Sequence, residues 1–279
     1  MFVYQCEDSL EGIFTAIYNV YEDRHTPEET RLSLGDELLL FAEYVPVTPD
    51  LEKAEKVIRT LKRQFGEEDY YRICLALAAP DAEKAQVVYQ TIAAGLAGKC
   101  RPEHMLDNLA DQYVHHTFSL WRGARREYDH LRGFLRFEEL GEGILYARIS
   151  PKNHLLTFLM SHFADRFPAE NFVIQDVGRK LWGIHPAVSA ENRENGWYVA
   201  QLGEDSEAFY AMERLSNMER SEKERACQQL FGYFCQKIAI RERRNLELQR
   251  NMLPLRFREY MTEFQKNLSG MDGKPASDI

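Results

Sequence analysis

The chain has 279 residues, of which 44% are hydrophobic and 28% charged, with a formal net charge of -9. That length allows one large domain or two modest ones with a substantial core, and the composition excludes a low-complexity chain. The acidic balance excludes a protein that coats nucleic acid by charge everywhere, so any polyanion must be met by a local basic face.

In chain order, residues 1–6 (MFVYQC) read as a short strand. Asp8 and Glu11 form a capping-box pattern ahead of Ile13, Phe14, Ile17, Val20 and Tyr21, an apolar stripe at helical spacing. Residues 37–47 read as a strand closed by Pro46 and Pro49. Thr48 and Asp50 open a helix over 51–65, and further helices are expected over 68–79, 82–97 and from Pro102 into the 120s. Pro80-Asp81 and residues 98–102 supply the breaks between them.

The pattern changes near Arg132. Residues 134–140 and 143–149 alternate around Gly141-Glu142-Gly143, which predicts a β-hairpin. Ser150-Pro151 introduces a helix ending at Phe167-Pro168, and short strands are expected over 171–177, 180–185 and 197–200. From Gly203 the chain reads as helical to the end of a basic stretch. The expected architecture is α+β, a small and mostly antiparallel sheet surrounded by helices with a helical C-terminal region. It is read as one domain over 1–267, with possible lobes 1–130 and 131–267 and a flexible tail over 268–279.

Cys6, Cys74, Cys100, Cys227 and Cys235 form no CxxC, so reduced thiols are expected rather than a disulfide framework or zinc ribbon. No three-cysteine cluster for an iron–sulfur centre is present, and no cofactor or metal site is expected. Residues 1–20 carry Glu7, Asp8 and Glu11 among their apolar positions, unlike a signal peptide, and no apolar run matches a membrane span. A cytoplasmic protein is expected. Walker, GxGxxG, GxSxG and zinc-deaminase motifs are absent.

Three constellations could carry chemistry. On the helix around 153–167, Leu155, Leu156, Leu159, Met160, Phe163 and Phe167 fill one arc, while His162 and Arg166 share its edge. Asp165, three residues on, could orient the His162 imidazole, making these three a candidate acid/base or phosphate site. His154 and His162 cannot share a metal, since eight residues of helix rise about 12 Å. The alternative is a boundary histidine and an arginine tying the helix to its neighbour.

A second constellation follows His115-His116, where Arg122, Arg125, Arg126, Arg132 and Arg136 interleave with Trp121, Tyr128 and Phe134. Arginines could hold a nucleic-acid backbone while the aromatics stack on bases, or the run could be a solvated face. A weaker signal places Asp176 near His185 across a hairpin turning at Val177-Gly178-Arg179.

The third is the most concentrated. Residues 241–263 (RERRNLELQRNMLPLRFREYMTE) carry Arg241, Arg243, Arg244, Arg250, Arg256 and Arg258. Leu246, Leu253 and Phe257 are read as anchors that leave the arginines outward. Arg243, Arg244, Arg250 and Arg256 are candidates for phosphate contacts, and Asn245 and Gln249 for base or sugar edges.

At these residues the chain resembles a known family. Glu242-Arg243-Arg244-Asn245 with Gln249, Leu253-Pro254, Arg256-Phe257 and Tyr260-Met261-Thr262-Glu263 look like its closing signature. Tyr4, Ser9-Leu10-Glu11-Gly12, His154, His162-Phe163, Arg166-Phe167-Pro168 and Trp182 are also similar. The family is a bacterial group of DNA-metabolism and DNA-repair proteins, encoded beside a radical-SAM protein similar to spore photoproduct lyase. Arg258 stands where the family usually has an aromatic.

The resemblance implies an accessory protein that binds DNA or a damaged nucleotide and works with a radical-SAM partner. Two alternatives stay open. One is a hydrolytic DNA-processing enzyme, nuclease- or glycosylase-like, using His162 with Asp165 and aided by Arg166. The other is a protein-binding adaptor whose arginines meet an acidic partner.

Overall fold

A computed structural model describes residues 1–35, 39–98, 102–141, 143–188, 196–203, 205–238 and 245–264. The chain divides into two compact units, Met1–Glu127 with Lys152–His154, and Tyr128–Pro151 with Leu155–Ile279.

The first unit opens with β1 (Phe2–Gln5) and α1 (Leu10–Glu22). The cap of α1 is Ser9, whose Oγ accepts the Gly12 amide at 3.0 Å, rather than Asp8 of the expected capping box. A β-carbon at Gly12 would meet the Glu7 carbonyl, so the tight entry requires glycine. The expected stripe Ile13, Phe14, Ile17 and Val20 is buried. The helix ends on Arg24 in the left-handed region (φ 61), with His25 N donating to Val20 O at 3.1 Å, a Schellman-type stop.

β2 (Thr30–Ser33) and β3 (Glu43–Pro46) both pair with β1 in parallel, in the order β2-β1-β3. β2 was not read from the sequence, and the single strand expected over 37–47 is shorter, with 36–38 outside the described residues. α2 (Leu51–Leu77) starts at Asp50, whose carboxylate accepts Lys53 N at 3.1 Å. Gly66 (φ 85, ψ 170) kinks it between the two helices expected here. α3 (Lys84–Leu96), a 3-10 turn at Pro102–Asp107 and α4 (Gln112–Phe134) follow. A hydrogen bond of 2.9 Å between the buried Thr91 and Thr117 hydroxyls ties α3 to α4.

The second unit holds a five-stranded sheet, β4 (Glu138–Glu139), β5 (Leu145–Ile149), β6 (Phe172–Asp176), β7 (Leu181–His185) and β8 (Tyr198–Gln201), in sequence order. Between β5 and β6 runs α5 (Leu156–Arg166). Pairing puts Ala147, Ile174 and Gly183 side by side on the face that meets Leu156 and Met160 of α5. The opposite face carries Tyr146, Val173 and Trp182, packed with Leu140, Met212 and Leu215. α6 (Glu207–Ser216), α7 (Glu222–Ile238), α8 (Leu246–Met252) and 3-10 turns at Leu255–Tyr260 and Thr262–Phe264 complete the described chain.

The class is α+β, as expected, but the sheet is not mostly antiparallel. Among the described residues there are two sheets, and β1–β2, β1–β3 and β5–β6 pair in parallel. For β1–β2 and β5–β6 the reason is connectivity: α1 and α5 carry the chain back across the sheet, so the next strand runs in the same direction as the last. No helix among the described residues is long and apolar enough to cross a membrane.

Candidate nucleic-acid interface

On α4, His115, Ser119, Arg122 and Arg126 recur at intervals of three and four residues and are all exposed, forming one outward stripe in the first unit. Neither Arg122 nor Arg126 has an acidic partner among the described residues. Arg125 is half-buried beside them. The opposite side of the helix is anchored by the buried Val114, Thr117 and Ala124.

The aromatics expected to stack on bases are engaged otherwise. Trp121 is half-buried, with the Arg72 guanidinium 5.0 Å from its ring centre and Phe118 tilted against it at 5.2 Å. Tyr128 is buried, with Arg132 over its ring at 5.5 Å and Phe158 edge-on at 6.4 Å. Phe134 packs against His130 and Phe257. Arg136 is tied to Glu263 at 2.9 Å.

Of the closing basic stretch, Arg241, Arg243 and Arg244 lie outside the described residues. Asn245 is the N-cap of α8, its Oδ1 accepting Leu248 N at 2.9 Å. That bond uses the side-chain carbonyl that base reading would need, leaving its amide hydrogens. Gln249 is half-buried and Arg250 exposed. Arg256 is exposed, its guanidinium 4.7 Å from the Phe257 ring. Phe257 is the buried anchor that was expected, Leu253 is half-buried, and Leu246 is 43% exposed. Arg258 is turned inward, donating to the Leu253 carbonyl at 3.2 and 3.1 Å.

His162 and Arg166 both lie on α5, with His162 half-buried and Asp165 and Arg166 exposed. Among the described residues no hydrogen bond joins His162 to Asp165; the imidazole meets Phe163 edge-on at 5.0 Å. Burial, helped by Arg132 and Arg166, holds the His162 pKa below the usual imidazole value, with Asp165 opposing. The ring is therefore neutral at neutral pH. His154 lies before α5 begins, and its amide donates to Ala78 O at 2.8 Å in the first unit.

The Asp176–His185 pairing is overturned by register. Asp176 sits opposite Leu181 and His185 opposite Phe172, so they occupy opposite ends of the hairpin, about 13 Å of strand apart. Asp176 instead accepts from Arg179 Nη1 at 3.1 Å, and His185 stacks on Phe172 at 4.5 Å.

The sequence reading missed a cleft of about 280 Å³ at the carboxyl ends of β1 and β2, lined by Asp8, Arg31, Ser33, Gly35, Asp81 and Glu83. Its charges are paired internally: Arg31 with Glu83 at 2.6 Å, and Asp8 with the buried Lys84 at 2.6 Å. Recognising β2 would have revealed it, because loops at strand carboxyl ends line such crevices. No cluster of three or more His, Cys, Asp or Glu among the described residues is placed to hold a metal ion.

No curated protein matches the chain. A model of a domain of unknown function matches residues 82–263, from the loop before α3 to the last 3-10 turn. The matched region takes in α4, the five-stranded sheet and α8, and leaves out the parallel sheet with Tyr4 and Ser9-Leu10-Glu11-Gly12. By that match the chain belongs to the DUF4130 family.

Proposed function

We propose that the protein binds DNA, or a damaged nucleotide in it, as an accessory to a radical-SAM repair enzyme. The observation that carries this is the α4 stripe, where Arg122 and Arg126 are exposed one turn apart with no acid neutralising them among the described residues. In a chain of net charge -9, two such guanidiniums on one stripe are a local site for phosphate rather than general drift toward polyanions. Arg250 and Arg256 form a second set of candidates, and Gln249 a contact to base or sugar edges. The radical-SAM partner rests on the family resemblance of the closing signature.

The test is the salt dependence of DNA binding by the full chain, followed by anisotropy of labelled single- and double-stranded oligonucleotides. Replacing Arg122 and Arg126 by Gln removes up to two phosphate contacts, flattening the slope of log K against log salt by about 0.9 per contact on duplex. An unchanged slope removes α4 from the interface. The same measurement on an Arg250→Gln, Arg256→Gln double variant separates the two zones.

A second reading is favoured by the neutral His162. A half-buried imidazole kept unprotonated, with Arg166 beside it, suits a general base acting on an anionic substrate. It predicts turnover of modified DNA by the isolated protein, lost in His162→Ala while the fold persists. No turnover across a panel of damaged substrates would end it.

A further inference from the structure

α7 is amphipathic in the inverted sense. Its inward side is polar, where Gln228 is buried and donates from Nε2 to Glu224 Oε1 at 2.7 Å. Its outward side carries an apolar stripe between charged residues: Leu230 is 69% exposed, Phe231 39%, Phe234 53% and Ile238 58%, with Cys227 also exposed. A free helix face would carry the polar residues outward.

The outward residues are also spaced for a partner. Cys227, Phe231, Phe234 and Ile238 follow one another at intervals of four, three and four, the a/d seam of a helix that packs on another helix. At roughly 200 Å² per aromatic side chain, the half-exposed Phe231 and Phe234 leave about 200 Å² of apolar surface in water, and Leu230 and Ile238 on the same arc extend it. A contiguous patch of a few hundred Å² is the size at which the largest apolar patch of a monomer is often functional.

Charge identifies the occupant. Lys223 and Lys237 fall two heptads apart on one flank of the seam, both exposed, with Leu230 midway between them. The opposite flank, Gln228 and Cys235, turns toward the chain itself, and the acid at the head of the seam, Glu224, is half-buried and held by Gln228. Two copies packed antiparallel through this seam would set Lys223 against Lys237 of the other copy, a like-charge contact. A helix with an apolar seam and carboxylates along its flank meets both lysines favourably.

We propose that the exposed face of α7 is a docking site for an acidic amphipathic helix of another protein. The site uses none of the arginines assigned to DNA, so the two functions stand or fall separately.

The test uses the full-length chain and two synthetic 21-residue helical peptides with Leu at a and d, one with Glu at e and g, the other with Lys. Titration calorimetry is expected to show the Glu peptide binding at least ten-fold more tightly than the Lys peptide, weakening as salt is raised. A Phe231→Ser, Phe234→Ser variant should lose that binding by ten-fold or more. A Lys223→Glu, Lys237→Glu variant, confined to the surface and safe for the fold, should reverse the peptide preference. Equal binding of both peptides, binding of neither, or indifference to the lysine reversal would overturn the proposal. A dimer in sedimentation velocity that dissociates in the phenylalanine variant would also overturn it, giving the seam to a second copy.

Discussion

The carboxylate of Glu127, buried on α4, accepts the backbone amide of Asn153 at 2.8 Å and its side-chain amide at 2.5 Å. It also accepts Lys152 N at 3.1 Å, so one acid gathers three donors from a segment 25 residues later in the chain. Glu127→Ala leaves buried donors unmatched, with an expected loss of about 1–3 kcal/mol for each group stranded. Asn153→Ala removes one donor and should cost less. Urea titration of both single variants and the double variant measures the coupling, expected at about 0.5–3 kcal/mol; simple additivity would contradict the arrangement.

Gly183 in β7 lies directly beneath Met160 of α5, where an added β-carbon would run into the thioether. Gly183→Ala is expected to destabilise the second unit by about 1–3 kcal/mol through overpacking. Adding Met160→Ala should recover part of that loss, since it removes the obstruction. A Gly183→Ala variant as stable as the parent in thermal and urea melts would contradict the packing.

His162 sets a pH dependence whose sign is fixed. Its folded pKa is lowered, so below the ordinary value near 6.5 the unfolded chain binds the proton while the folded one does not. Stability therefore falls as pH drops from about 6.5 toward the folded pKa, then levels off. In urea midpoints at pH 5 and 7, His162→Gln should show a smaller drop than the parent. An equal drop in both would assign the effect to other groups.

The thiols are expected to separate by reactivity. Burial pushes Cys6 up to about 12 and Cys74 to about 11, so both stay protonated and shielded. Cys227 is exposed and should be alkylated first by iodoacetamide under native conditions, as followed by peptide mass mapping. Cys6 and Cys74 should label only on unfolding. Labelling of Cys6 at the rate of Cys227 would contradict its burial.

What could be read from the sequence was what local rules govern. Asp50 as a helix opener, the stripe of α1 and the β6–β7 turn follow from capping, periodicity and turn chemistry close in sequence. β2 escaped notice because four residues with Arg31 and Ser33 at alternate positions carry little apolar signal, and its partner lies a whole helix away. The Asp176–His185 pairing failed because alternation fixes faces but not rungs; the register shift of four came from where the turn closes. The arginines on α4 were legible as residues, and their exposure was not.

Residues 152–154 belong to the first unit although the chain has already left it at Glu127. During synthesis that unit must wait for about two dozen further residues before Glu127 finds its amide donors, a delay of roughly one to five seconds at ordinary translation rates. A fragment cut after residue 127 would leave the Glu127 side chain without its three donors, so nascent chains halted in that interval should be far more sensitive to protease than those halted beyond His154.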